Sequence, residues 1–188
     1  MIKIGITGSI ASGKSTASKI LCHKRGPLFS ADQVVKKLYN NSNFKRLLSK
    51  KFNIDKKLNF KVLLKRKLLQ KNNNIRKLEK IIHPLVRKEM NKFTTGNRKN
   101  FFLFYEIPLL IESKLMKFFD LIILIKAKKK TRLKRFKIRG GEEKLFNILN
   151  KKQMSESNKS KFCDHIIVNE KNLNILKIKL LDIMKLYE

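Results

Sequence analysis

Apolar positions along the chain fall into short unbroken runs and longer stretches at helical spacing. Met1–Thr7 (MIKIGIT), Leu28–Phe29, Phe101–Tyr105 (FFLFY), Leu121–Ile125 (LIILI) and Ile166–Val168 are the short runs. Apolar runs of this length without polar alternation predict strands covered on both faces, as in a parallel sheet. Lys14–His23 and Leu173–Leu186 have helical patterning, and Gly26-Pro27 punctuates the chain before the second run. From Ala31 to about Asn97 no strand is predicted. Apolar residues there, such as Val62, Leu63, Leu64, Leu68 and Leu69, recur at helical spacing. Breaks are expected at Asn72-Asn73-Asn74, Thr94-Thr95-Gly96 and His83-Pro84, the last because a residue preceding proline is pushed out of the helical region.

Strands that alternate with helices imply an α/β layered fold with a mainly parallel sheet. A length of 188 residues suits one domain with a sizeable core. Residues 31–100 then form a helical insertion after the second strand, where a part that grips substrate would sit. No internal repeat is evident.

The chemistry begins directly after the first strand. Gly8-Ser9-Ile10-Ala11-Ser12-Gly13-Lys14-Ser15 matches G-x-x-x-x-G-K-[ST] at every fixed position. Glycines let the backbone curl so that successive N–H groups point into one concavity, and the helix that follows adds its positive end. Lys14 is placed to reach β- and γ-phosphates, and the Ser15 hydroxyl to ligate Mg²⁺; Thr16 adds a hydroxyl in the first helical turn. This pattern predicts nucleotide binding without separating a kinase from a GTPase or a motor ATPase.

Charge tempers one alternative. The chain carries 46 basic residues against 14 acidic ones, a formal net charge of +32. Such a balance ordinarily points to a polyanionic partner. Here lysines such as Lys36, Lys56, Lys65, Lys99, Lys128 and Lys177 are scattered along the whole chain. No stripe of basic and aromatic residues interleaves as a single-strand binder needs. The expectation is a surface sticky toward polyanions, with no specific nucleic-acid partner. The longest apolar stretch, Phe101 to Ile111, is interrupted by Glu106 and Pro108, so no membrane span is expected. Cys22 and Cys163 show no metal-ligand spacing and read as reduced, small core residues. The N-terminus enters a strand at once, leaving no room for a signal peptide, and a cytoplasmic setting is expected.

Arginine is scarce beside lysine, yet Arg132, Arg135 and Arg139 stand at i, i+3 and i+7, one face of a helix. The guanidinium fork binds phosphate bidentately, which lysine cannot do. Gly140-Gly141 then offers a helix stop and a hinge. One reading is a lid that closes arginines over the phosphates of ATP; the other is a solvated basic face.

With these residues assembled, the chain resembles the dephospho-coenzyme A kinase family along nearly its whole length. The resemblance is carried by Ile4–Thr16, Phe29-Ser30-Ala31-Asp32, His83-Pro84-Leu85-Val86-Arg87 and Glu106-Ile107-Pro108-Leu109-Leu110-Ile111-Glu112. It continues through Leu133-Lys134-Arg135, Arg139, Gln153, Asp164, Ile166 and Asn169. It implies a three-layer P-loop kinase over residues 1–188, with a helical substrate-binding insertion at 31–100 and a helical lid at 132–155. The implied reaction moves the γ-phosphoryl group of ATP, with Mg²⁺, to the ribose 3′-hydroxyl of dephospho-CoA. A monomer or small homo-oligomer is expected.

The residues the resemblance marks as catalytic are Asp32 as base, Lys14 and the lid arginine Arg139. Gly8, Ala11, Ser12, Gly13, Lys14, Ser15, Thr16, Arg135, Arg139 and Asn169 are expected on ATP, with Asn169 near the adenine, and Ser15 on the metal. Asp32, His83, Arg87, Glu106, Pro108 and Leu109 are expected on the acceptor. Taken alone, Asp32 could instead cap a helix, Glu106 could touch Mg²⁺ or substrate or merely form a structural ion pair, and His83 could be a loop-packing residue. The related kinases with other acceptors, and a nucleic-acid-binding P-loop ATPase, are the alternative functions. The chain departs from the family's usual pattern at Ser30, where an Asp is customary, at Arg132, often Gln, and at Glu170, where a small residue is usual.

Overall fold

The computed structural model describes residues 1–54, 59–70 and 72–188. Its chain divides into two compact units, Met1–Ser30 with Gly96–Glu188, and Ala31–Thr95.

The first unit holds the sheet. Strands β1 (Ile2–Gly8), β2 (Leu28–Ser30), β3 (Phe102–Glu106), β4 (Leu121–Lys126) and β5 (His165–Val168) match the five apolar runs to within a residue at most ends. Every pairing is parallel and the order is β2-β3-β1-β4-β5. All of β3 and the first five residues of β4 are buried, as strands covered on both faces must be.

On one face lie helices α1 (Lys14–Cys22) and α9 (Leu173–Met184). Their Ala17, Leu21, Leu176, Leu180 and Met184 pack on Ile4, Ile6, Phe104, Ile123 and Ile125 of the sheet. On the other face Tyr105 is fully buried, with the rings of Phe118 and Phe119 edge-on at 5.7 and 5.3 Å. The short helix α8 (Glu156–Ser160) also contacts β4. Helices α6 (Lys129–Ile138) and α7 (Glu143–Lys152) lie between β4 and α8 in the chain. Cys22 and Cys163 are free thiols but only half-buried, so neither is a full core residue. Among the described residues no helix is long and apolar enough to cross a membrane.

Because all strands run the same way, their carboxyl ends share one edge. From β1 the chain leaves to β2 on one side and later crosses to β4 on the other. The crevice at such a switch point is where α/β sheets bind ligands.

The second unit is helical: α2 (Ala31–Asn40), α3 (Ser42–Phe52), α4 (Phe60–Gln70) and α5 (Asn72–Gly96). Asn41 caps α3, its side chain accepting the Phe44 N–H at 3.1 Å. The core of this unit is Phe44, Leu48, Phe52, Ile54, Leu64 and Leu78, with Leu63, Leu68, Ile81, Ile82 and Leu85 against it. Val62, counted above in the apolar pattern, is exposed. Lys56 and the side chains of Lys65 and Leu69 lie outside the described residues.

One expected break is overturned. His83 and Pro84 lie inside α5, which runs unbroken from Asn72 to Gly96. Leu78, Ile81, Ile82 and Leu85 stand at i, i+3, i+4 and i+7, and burying that stripe outweighs the hydrogen bond that proline forfeits. Proline inside a helix costs ~3 kcal/mol relative to alanine, and replacing it loosens the unfolded chain by ~1 kcal/mol. Pro84→Ala is therefore expected to stabilise the helical unit by about 2 kcal/mol, read from the urea dependence of its circular dichroism.

Candidate active site

The phosphate loop leaves the carboxyl end of β1, the central strand. Ser12 N–H donates to the Ser9 carbonyl at 3.1 Å, and Ala11 adopts a left-handed φ of 58° to close the curl. Gly13 stands at the N-cap of α1 with φ 98°, and no side chain caps that helix. The N–H groups of the first turn are thus left to face an anion. A Cβ at Gly8 would come within 2.3 Å of the Ile125 carbonyl, and one at Gly13 within 2.2 Å of Asn169 Nδ2. Only glycine fits either position. Lys14 is buried, while Ser15 and Thr16 are exposed.

A backbone that turns its amides inward turns other polar groups outward, and these need partners. The Ser12 carbonyl accepts Asn169 Nδ2 at 2.8 Å and Arg135 Nη1 at 3.3 Å. The Ile10 carbonyl accepts Arg132 Nη1 at 3.4 Å, and the Ile10 N–H donates to Gln153 Oε1 at 2.8 Å. Residues from α6, from the end of α7 and from the end of β5 therefore converge on the loop. Ser12 Oγ is buried with no hydrogen-bond partner among the described residues.

The three arginines do not share one role. Arg132 is buried: its Nε donates to the Ala127 carbonyl at 3.0 Å and its Nη1 to Asn150 Oδ1 at 2.8 Å, with Glu156 at 3.4 Å. Burial pulls its guanidinium below the ordinary value while Glu156 opposes the shift. It is a strut between α6, α7 and the loop, so the stripe is not one phosphate-facing surface. Arg135 is half-buried and reaches the loop. Arg139 is exposed at the C-cap, where α6 ends. The helix closes on Gly140 and Gly141, whose N–H groups donate to the Lys137 and Phe136 carbonyls at 2.9 and 3.0 Å.

β3 delivers a carboxylate beside the loop. Glu106 is buried, and its Oε1 accepts the Ser15 hydroxyl at 2.5 Å. Ser30 pairs with Glu106 across β2 and β3, so the position where a second carboxylate would be customary adjoins this one. Among the described residues no cluster of three His, Cys, Asp or Glu could hold a metal. One hydroxyl and one carboxylate suit Mg²⁺, which takes oxygen donors and keeps most of its shell for waters and phosphate. Pro108 and Leu109, half-buried, follow in the turn after β3, with the Pro108 carbonyl accepting Thr7 Oγ1 at 3.2 Å.

Asp32, His83 and Arg87 belong to the helical unit. Asp32 is exposed in the first turn of α2, just beyond β2 in the chain. Half-buried His83 and exposed Arg87 stand four residues apart on α5, and so on one helix face.

Within the sheet unit, Gln153, Glu112 and Lys159 hold polar groups around the site without standing among its expected binding or catalytic residues, and Arg132, expected on the phosphates, holds the loop's outer side instead. Gln153 and Glu112 are visible only through the family resemblance. Lys159 is one lysine among many and has no local signal at all.

A parallel sheet with this loop at its central carboxyl end, flanked by arginines and a strand-end carboxylate, defines a P-loop kinase. The sequence pattern of dephospho-CoA kinase matches residues 2–174, and the chain belongs to that family. A dephospho-CoA kinase of Bartonella henselae is 35% identical over 188 residues, covering 97% of this chain and 96% of the relative. A crystal structure from Thermus thermophilus superposes with a TM-score of 0.83 at 26% identity, covering 98% of this chain and 96% of that one. The dephospho-CoA kinase structure from Campylobacter jejuni has the same fold, with a TM-score of 0.70 at 23% identity, covering 97% and 95%.

Gly13→Ala is expected to lower ATP affinity about 5- to 150-fold, because a side chain there meets a left-handed backbone and the Asn169 contact, ~1–3 kcal/mol of strain. Isothermal calorimetry reads the affinity, and an unchanged far-ultraviolet spectrum shows that the fold survives.

Proposed function

We propose that this chain transfers the γ-phosphoryl group of ATP to the ribose 3′-hydroxyl of dephospho-CoA, giving coenzyme A and ADP. The observation that carries the reading is the family match over residues 2–174, which spans both the phosphate-loop unit and the helical unit. A cytoplasmic setting goes with it.

Phosphoryl transfer asks for positioning and charge stabilisation more than for covalent help from the protein. The loop from Gly8 to Thr16, Ala11 and Ser12 included, holds the phosphates through backbone N–H groups. Asn169 and Arg135 keep its curl, and Lys14 and Arg139 neutralise the transferring group. Ser15 with Glu106 would hold Mg²⁺, which would offset charge on the β- and γ-oxygens. Asp32 accepts the proton of the 3′-hydroxyl as that oxygen bonds to the γ-phosphorus and the bond to the leaving ADP oxygen breaks. In this reading the helical unit binds the acceptor, with His83 and Arg87 on one face of α5 for its diphosphate and nucleoside. Pro108 and Leu109 line the acceptor side of the sheet edge. Residues 132–155 act as the lid.

A coupled assay of ADP release with ATP·Mg²⁺ tests the assignment. Turnover is expected to depend on dephospho-CoA, and faster turnover with AMP, CMP, shikimate or adenosine would exclude it. Lys14→Ala is expected to lower kcat about 10²–10³-fold, the loss of one preorganised electrostatic contact. Asp32→Asn keeps size but removes the basic lone pair, and kcat is expected to fall about 10²–10⁴-fold with ATP binding intact. Normal turnover with weakened Mg²⁺ affinity would instead make Asp32 a residue of the metal's shell.

A further inference from the structure

Most of the described lysines face solvent, but Lys159 of α8 is fully buried. An ammonium survives burial only when paired and hydrogen-bonded. Its Nζ lies 2.9 Å from Glu112 Oε1 and donates to the Pro108 carbonyl at 3.4 Å. The partners of this pair matter more than the pair. The same Glu112 oxygen accepts the Met154 N–H at 3.0 Å. Met154 follows Gln153, which holds the Ile10 N–H. On the other side, the Pro108 carbonyl also accepts the hydroxyl of Thr7, the residue before Gly8. The contacts form a closed ring. It leaves the loop at Ile10, passes through Gln153-Met154, Glu112, Lys159 and Pro108, and returns through Thr7 to the loop's first glycine.

We propose that Lys159 and Glu112 are positioning residues for phosphoryl transfer, an ion pair with a fully buried lysine that clamps both ends of the Gly8–Ile10 segment and so sets the loop's affinity for ATP. Both lie outside the Gly8–Thr16 loop and bond residues that hold it. The proposal rests on the reading of this chain as an ATP-dependent kinase. Stability alone does not account for the pair, since well-packed apolar residues replace buried ion pairs at little or no loss. An apolar pair could not accept the Met154 N–H or donate to Pro108, and those two contacts join the pair to the loop.

The test uses the full chain and the variants Lys159→Met, Lys159→Met/Glu112→Leu and Lys159→Arg. Thermal midpoint, ATP affinity by calorimetry without acceptor, and kcat and KM for ATP and dephospho-CoA are measured for each. Lys159→Met should melt below wild type, because the half-buried Glu112 loses its counter-charge. The double variant should melt near wild type yet bind ATP ~2- to 30-fold more weakly, the range of mutations that act through a network. Its KM for ATP should rise more than its KM for dephospho-CoA, and Lys159→Arg should retain most of the ATP affinity. A double variant with wild-type ATP affinity and KM would overturn the proposal, leaving the pair a packing element. If the double variant does not fold, Thr7→Val keeps the side chain's shape and opens the ring on its other side. Unchanged ATP affinity in that variant would overturn the proposal equally. A wild-type chain that binds ATP but ignores dephospho-CoA would refute the substrate assignment alone, because the ATP affinities of the variants still decide the clamp.

Discussion

A backbone that aims consecutive amides at one anion must bend through conformations most residues avoid, and it exposes carbonyls on its outer side that water or protein must satisfy. Gly8 to Lys14 is such a backbone, with left-handed φ values at Ala11 and Gly13. The sheet unit is organised around holding it. Side chains from three separate segments, Arg132 and Arg135 of α6, Gln153 after α7 and Asn169 after β5, bond the polar groups of Ile10 and Ser12. These contacts fix the outside of the curl and leave its inside for phosphate. That is preorganisation in the electrostatic sense, with donors fixed before charge develops.

The parallel sheet makes this convergence possible. Strands that all point the same way bring Gly8, Ser30, Glu106, Ala127 and Asn169 to one edge although they are scattered over the chain. The edge is placed by a core with little freedom to shift. Ile4, Ile6, Leu103, Phe104, Tyr105, Ile123, Leu124 and Ile125 are all fully buried. Gly5 in the central strand has Leu110 and Phe119 so close that any side chain would collide with them. Close packing of this kind transmits position, so the Ser15–Glu106 contact is set by the whole sheet.

The large positive charge proves to be of more than one kind. Most of the described lysines are solvated, which agrees with their even spread. A few cations do structural work inside: Arg132 bridges two helices and the loop, and Lys159 neutralises Glu112 beneath the Pro108 turn. Composition could not distinguish these from the rest, because burial is a property of where a residue ends up.

The strands, the phosphate loop, the helix stop at Gly140-Gly141 and the helical character of residues 31–97 were legible in the sequence. Each is a local matter: a run of apolar side chains, glycines where a Cβ would clash, a stripe at helical spacing. The local rule about proline points to a break at Pro84, but the buried stripe of Leu78, Ile81, Ile82 and Leu85 carries the helix through it. Other features required the tertiary structure. No spacing in the sequence brings Glu106 to Ser15, Gln153 to Ile10, Arg132 to Asn150 and Glu156, or Lys159 to Glu112 and Pro108. Those pairs join residues far apart in the chain, and only the stacking of parallel strands with the helices packed on them brings their polar atoms within hydrogen-bond reach. The sequence by itself determined which segments would be strand, helix and anion-binding loop, because those choices depend on neighbours a few residues away. The tertiary structure alone decided which charges would be buried as struts and which would stay in water, because desolvation is set by whatever packs around a side chain.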